Sequence, residues 1–170
     1  MNKILEHLKN NAAIYLIVIV CIIIGVLIFQ NHDNEKIEYD TRPFNIVDNK
    51  KALELFESKE PQMLVIGKKT CSASKELLPS LVIAQTTGKY KTNYLELTDL
   101  KKGSEDYNKL LELLDYEYQK DGETKPFREY MGATPMVIVI KDNKMVYGYL
   151  GPMNNTVIST IAKQYGVSNE

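Results

Sequence analysis

The sequence predicts an α/β protein, a mixed central sheet flanked by helices, preceded by one N-terminal transmembrane helix. Three observations carry this reading. An uncharged apolar run fills Ala12 to Phe29, strand-like and helix-like segments alternate from Phe44 onward, and a strand–turn–strand pattern followed by an amphipathic helix closes the chain. With 170 residues, the chain has room for one ordinary domain and an appendage. Its 21 Lys and Arg against 22 Asp and Glu are interspersed, so no basic stripe supports phosphate-driven nucleic-acid binding. Two cysteines, Cys21 and Cys71, cannot build a disulfide framework or a Cys-rich zinc site.

The run AAIYLIVIVCIIIGVLIF holds 18 consecutive uncharged residues. At about 1.5 Å per helical residue it nearly matches a hydrocarbon core of about 30 Å. A cleaved signal peptide would have a shorter apolar core and a small-x-small site, and the run instead ends in Val26-Leu27-Ile28-Phe29. Cys21 is not a lipidation site on this reading, because bulky Val20 precedes it and the run continues beyond it. Lys3 and Lys9 precede the span, whereas Asp33, Glu35, Glu38 and Asp40 crowd its far side with Lys36. The positive-inside rule then sets residues 1–11 in the cytoplasm, the span at 12–29 in the cell membrane, a polar linker at 30–42 and an extracytoplasmic domain at 43–170. Within the span Cys21 reads as a small buried hydrophobe.

Beyond the linker, Phe44 to Val47 is a short strand and Asn49 to Lys59 a helix carrying Ala52, Leu53, Leu55 and Phe56. Met63-Leu64-Val65-Ile66 is a continuous apolar run ending at Gly67, as expected of a strand buried on both faces. Ser72 to about Gln85 is helical, interrupted by Pro79, and Tyr94-Leu95-Glu96-Leu97 is the next strand. Ser104 can cap a helix with Glu105 and Asp106 in its first turn and with Tyr107, Leu110, Leu111, Leu114 and Tyr118 along one face. Gly122 and Pro126 break it into a loop. Met136 to Ile140, the Asp142-Asn143 turn and Lys144 to Tyr149 form a strand pair, and a last helix runs from Asn154 or Asn155 to Gly166. The element order is βαβαβαββα.

Cys71 falls where the strand ending at Gly67 meets the next helix, so its sulfur faces that helix's open N–H groups and positive end. This position lowers a thiol's pKa, and Lys68 and Lys69 add positive charge nearby. Ser72 and Ser74 can donate hydrogen bonds to a thiolate. The competing reading of Cys71 is an inert buried thiol, and that of Thr134-Pro135 is an ordinary turn before a strand.

The segment Cys71-Ser72-Ala73-Ser74-Lys75, with Pro79 eight residues after the cysteine, resembles the active-site helix of the thioredoxin superfamily, whose motif is Cys-x-x-Cys. Tyr130-Met131-Gly132-Ala133-Thr134-Pro135-Met136 resembles the segment bearing that family's cis-proline, and the resemblance covers roughly Phe44 to Gly166. Among relatives the chain is most similar to small membrane-anchored thioredoxin-like proteins of Gram-positive bacteria, including bacteriocin transport accessory proteins. The resemblance implies a thioredoxin-like fold, a cis Pro135, and Thr134 backbone groups that pair with an extended client chain beside Cys71. Three departures qualify it. Ser74 replaces the second cysteine, Val65 and Thr70 stand where the family has a buried acid and a tryptophan, and Leu97 to Pro135 is about 20 residues longer.

The implied activity is monothiol thiol–disulfide exchange through Cys71, with Ser74 in the motif and Thr134, Pro135 and Lys68 binding the partner. The partners would be client proteins or peptides with thiols or disulfides, together with an external thiol reductant. A redox-inactive adaptor for peptide secretion is the alternative, and glutathione chemistry with Lys68 and the Thr134 backbone is a third, less suited to the outward orientation. No cofactor or metal is expected. His7 and His32 flank the span and are too remote for a Cys–His pair. Gly67-Lys68-Lys69-Thr70 lacks the spacing of a phosphate loop, and Asn154-Asn155-Thr156 matches a glycosylation acceptor as readily by chance.

Overall fold

A computed structural model of the chain describes residues 20–23 and 40–168. The chain divides into two compact units, Met1–Lys36 and Ile37–Glu170. In the first, Val20–Ile23 is helical and exposed, Cys21 included. The rest of the expected span 12–29, most of the linker, and His7 and His32 lie outside the described residues. Among the described residues no helix is long and apolar enough to cross a membrane.

The second unit opens with strand β1 (Asn45–Ile46) and helix α1 (Asn49–Glu54). The Asp48 side chain caps α1 by accepting the Lys51 N–H, leaving Ala52 to face the core. The expected helix to Lys59 stops early. A 3-10 turn, Leu55–Glu57, follows α1, and Ser58 then turns extended while its hydroxyl bonds both the N–H and the carbonyl of Glu60. Pro61 favours this, since a residue before proline avoids the helical region.

Strand β2 (Gln62–Gly67), helix α2 (Ser72–Thr87) and strand β3 (Asn93–Glu96) come next, and then α3 (Glu105–Leu113), capped by Ser104. The chain ends with β6 (Met136–Lys141), β7 (Lys144–Leu150) and α4 (Asn155–Tyr165), after a hairpin of β4 (Glu117–Lys120) and β5 (Glu123–Pro126). Asn154 caps α4, so that side chain serves the fold, and Gly166 ends the helix in the left-handed conformation at φ 78°.

The hairpin corrects the sequence reading, which carried the third helix on to Tyr118 and left a loop at Gly122. Leu114 ends that helix at ψ 37°, and the polar segment beyond it folds back on itself. Asp121 and Gly122 both take positive φ, 53° and 84°, the requirement of a tight two-residue hairpin turn. Tyr118 satisfies the helical spacing by coincidence. It packs edge-on against Phe127 and Tyr130 instead, at centroid distances of 5.2 and 5.6 Å.

The main sheet has the order β1-β3-β2-β6-β7. β1, β3 and β2 run parallel, whereas β6 and β7 are antiparallel to their neighbours. Helices cover both faces, which explains the continuous apolar runs. Met63, Val65, Val137 and Val139 pack with Leu77 and Leu81 of α2 and Ile158 of α4. Leu64, Ile66, Met136 and Ile138 face the opposite way, onto Ala52, Leu110 and Phe127, which follows the hairpin. This α/β layering fixes the C-terminal end of β2 and the start of β6 side by side, Ile66 opposite Met136.

Candidate thiol site

The site is built on the strand end, the turn after it and the first turn of α2. Gly67 closes β2 because nothing larger fits: a Cβ there would lie 2.7 Å from the Cζ of Tyr94, which is 1% exposed. The chain then turns through Lys68–Thr70, with the Cys71 N–H donating to the Lys68 carbonyl at 2.9 Å. Two side chains hold this turn. The Ser74 hydroxyl accepts the Lys68 N–H at 3.3 Å, and the Glu96 carboxylate accepts the Lys69 N–H with both oxygens at 3.2 Å.

Cys71 is the N-cap residue of α2, extended at φ −96° and ψ 119°. Its carbonyl takes the first helical bond, from the Lys75 N–H at 3.1 Å. Pro79 lies inside the same helix, on its exposed side.

The second wall comes from the start of β6. A 3-10 turn, Phe127–Tyr130, leads through Gly132 at φ 116° to Thr134-Pro135, whose peptide bond is cis. The Pro135 carbonyl accepts the Gly151 N–H at 2.9 Å, which ties this loop to the end of β7. The Cys71 thiol donates to the Thr134 carbonyl at 3.3 Å.

Cys71 is half-buried. Burial pushes its thiol up, the largest single influence, but the influences that favour the thiolate outweigh it together. These are the Thr134 hydroxyl, the N–H and hydroxyl of Ser74 and the N–H of Ala73, and they hold the thiol below its ordinary range. Ser74, 1% exposed, therefore serves two partners, the Lys68 backbone and the Cys71 sulfur. Ser72, expected beside it, lies exposed.

The structure thus brings together Cys71, Ser74, Thr134 and Pro135. Lys68 is exposed on the turn next to them, and its backbone is part of the turn's hydrogen bonding. Sequence reasoning overlooked Glu96, 5% exposed. The available signal was a lone acid inside the apolar strand Tyr94-Leu95-Glu96-Leu97. A cavity of about 770 Å³ lies elsewhere, between α1 and α3, with Lys50, Glu54, Glu57 and Lys109 among its lining. Its mixed charges carry no constellation for chemistry, and among the described residues no cluster of His, Cys, Asp and Glu could hold a metal.

No protein-family model and no curated protein matches the chain. Solved structures do. Chloroplastic thioredoxin z aligns at TM-score 0.50 and 10% identity, over 75% of this chain and 98% of that one. Mitochondrial thioredoxin 3 from Saccharomyces cerevisiae aligns at TM-score 0.49 and 14% identity, over 71% and 94%. An uncharacterized thioredoxin-like protein from Clostridium perfringens aligns at TM-score 0.46 and 20% identity, over 75% and 85%. The first of these likenesses shows the fold, which is thioredoxin-like with a mixed sheet flanked by helices.

Proposed function

We propose that this chain of thioredoxin-like fold is a membrane-anchored protein whose extracytoplasmic domain performs monothiol thiol–disulfide exchange with secreted or membrane clients. One observation carries the reading: a half-buried Cys71 at a helix N-terminus, held below the ordinary thiol range and facing Thr134 at 3.3 Å across a cis-proline loop. The anchor rests on the apolar run Ala12–Phe29 and its flanking charges. The similarity to membrane-anchored relatives of Gram-positive bacteria, bacteriocin transport accessory proteins among them, belongs to this reading.

In the exchange the Cys71 thiolate attacks one sulfur of a client disulfide. The client S–S bond breaks, a Cys71–client disulfide forms, and the other client sulfur leaves as thiolate. A second thiolate, from the client or from an external thiol reductant, then attacks the client sulfur of the mixed disulfide and releases Cys71 as thiolate. The chain ends as it began, and any net electron pair comes from that second thiol. With a hydroxyl at Ser74 the chain cannot resolve the adduct itself, so isomerisation of client disulfides, or reduction with an outside thiol, is favoured over dithiol oxidation. Lys68 and the Thr134 backbone would bind the client segment beside the sulfur.

A redox-inactive adaptor for peptide secretion is the second reading. It is favoured by Ser74, whose buried hydroxyl is committed to the Lys68 N–H. Trapping separates the two. Cells making the full-length chain are quenched in acid, alkylated and resolved without reductant. Exchange predicts adducts that collapse with dithiothreitol and vanish in Cys71→Ser, whereas the absence of Cys71-dependent adducts leaves the adaptor.

A further inference from the structure

Glu96 is a buried carboxylate that takes no part in the exchange just described, yet it touches the turn that carries Cys71. It is the last residue of β3 and pairs in register with Gly67, the last of β2. Both its oxygens accept the Lys69 N–H at 3.2 Å, and one also accepts the Thr98 hydroxyl at 2.9 Å. Capping the 3-10 turn Leu97–Asp99 needs one oxygen at Thr98. It does not need a carboxylate aimed with both oxygens at a backbone N–H 27 residues away. Burying a carboxylate is costly unless its oxygens find donors, so these bonds also fix where the side chain sits.

We infer that Glu96 is a positioning residue for Cys71, clamping the turn through Lys69 so that the sulfur stays against the α2 N-terminus and Thr134. The inference rests on Cys71 being the exchanging thiol. Lys69 is two residues from Cys71, and two residues span at most about 7 Å, so the clamp acts close to the sulfur. Glu96 and Ser74 hold consecutive N–H groups of the turn, Lys69 and Lys68, from opposite sides of the motif. Other charged residues nearby along the chain are Lys75 and Glu76 on α2 and Asp99 after β3. None of their side chains bonds the turn's backbone among the described contacts, and the Lys75 N–H makes the first helical bond, to the Cys71 carbonyl.

The test uses the full-length chain in mild detergent, with alkylation of the Cys71 peptide followed by mass spectrometry against pH. Hydrogen–deuterium exchange of the peptide spanning residues 66–71 is read in parallel. Glu96→Met keeps length without an acceptor. It should raise the alkylation inflection by about one pH unit, toward the roughly 8.5 of a free thiol, and speed exchange of the turn at least tenfold. Glu96→Gln retains an acceptor oxygen and should restore both readouts to near wild type. Should Glu96→Met fail to fold, Glu96→Asp, one methylene shorter, withdraws the clamp and should shift both in the same direction. A folded Met or Asp variant with the wild-type inflection overturns the inference, as does a Gln variant that behaves like Met. A wild-type inflection at the free-thiol value would instead sink the exchange reading, and turn exchange in the variants would then decide the clamp alone.

Discussion

The Cys71 thiol donates its proton toward the backbone carbonyl of Thr134, 63 residues away in sequence and 3.3 Å away in space. Ionisation removes that donor. The groups that favour the thiolate are the Thr134 hydroxyl, Ser74 and the N–H of Ala73. Thr134 therefore meets the Cys71 sulfur with two of its oxygens, the carbonyl and the hydroxyl. On the exchange reading, the Thr134 backbone is what pairs with a client segment beside the sulfur.

Replacing Ser74 by Cys should convert the motif to a dithiol. Ser74 lies in the first turn of α2 after Cys71 and its hydroxyl favours the Cys71 thiolate, so a thiol in its place would face that sulfur. The Ser74→Cys chain should form an internal disulfide and catalyse insulin reduction with dithiothreitol, measured by turbidity. Correct folding without any gain would count against the geometry assigned to residues 71–74.

Gly67→Ala should destabilise the domain by about 1–3 kcal/mol, the usual cost of forcing an extra methyl into a packed site. The new Cβ would meet the ring of Tyr94, which is buried and stacked on Phe44 at 6.1 Å between centroids. A urea midpoint unchanged from wild type would show that this close approach is not as tight as described.

Alkaline stability should report on Tyr90. Burial pushes its phenol from about 10 up to about 12. The unfolded chain loses this proton first, so the folded state binds more protons between those two values and stability falls as pH rises through the window. Below about pH 10 the group is protonated in both states and has no effect. Tyr90→Phe should flatten the decline in urea midpoint from pH 10 to 12, and an undiminished slope would assign it to other groups, such as Tyr147, also pushed up to about 12.

Much of this architecture is legible in residues. The double-faced runs Met63–Ile66 and Met136–Ile140 announce strands buried on both sides, and Ser104 and Gly166 mark helix ends that the structure reproduces. The hairpin at Glu117–Pro126 is not, because its strands are largely exposed and polar and have no apolar alternation to display. Its one local signal is Asp121-Gly122, a pair that also reads as a simple helix breaker. Cys71, Ser74, Thr134 and Pro135 announce themselves by residue type and offset. Glu96 does not, since its relevance depends on β3 lying parallel beside β2, a pairing that no local pattern encodes.

The pH dependence of Cys71 alkylation in the full-length chain tests the central claim most directly. The thiolate contacts predict an inflection clearly below the roughly 8.5 of a free thiol, with Cys71 reacting faster than a free cysteine at neutral pH. An inflection at or above that value would mean that burial outweighs those contacts, and would contradict a nucleophilic Cys71.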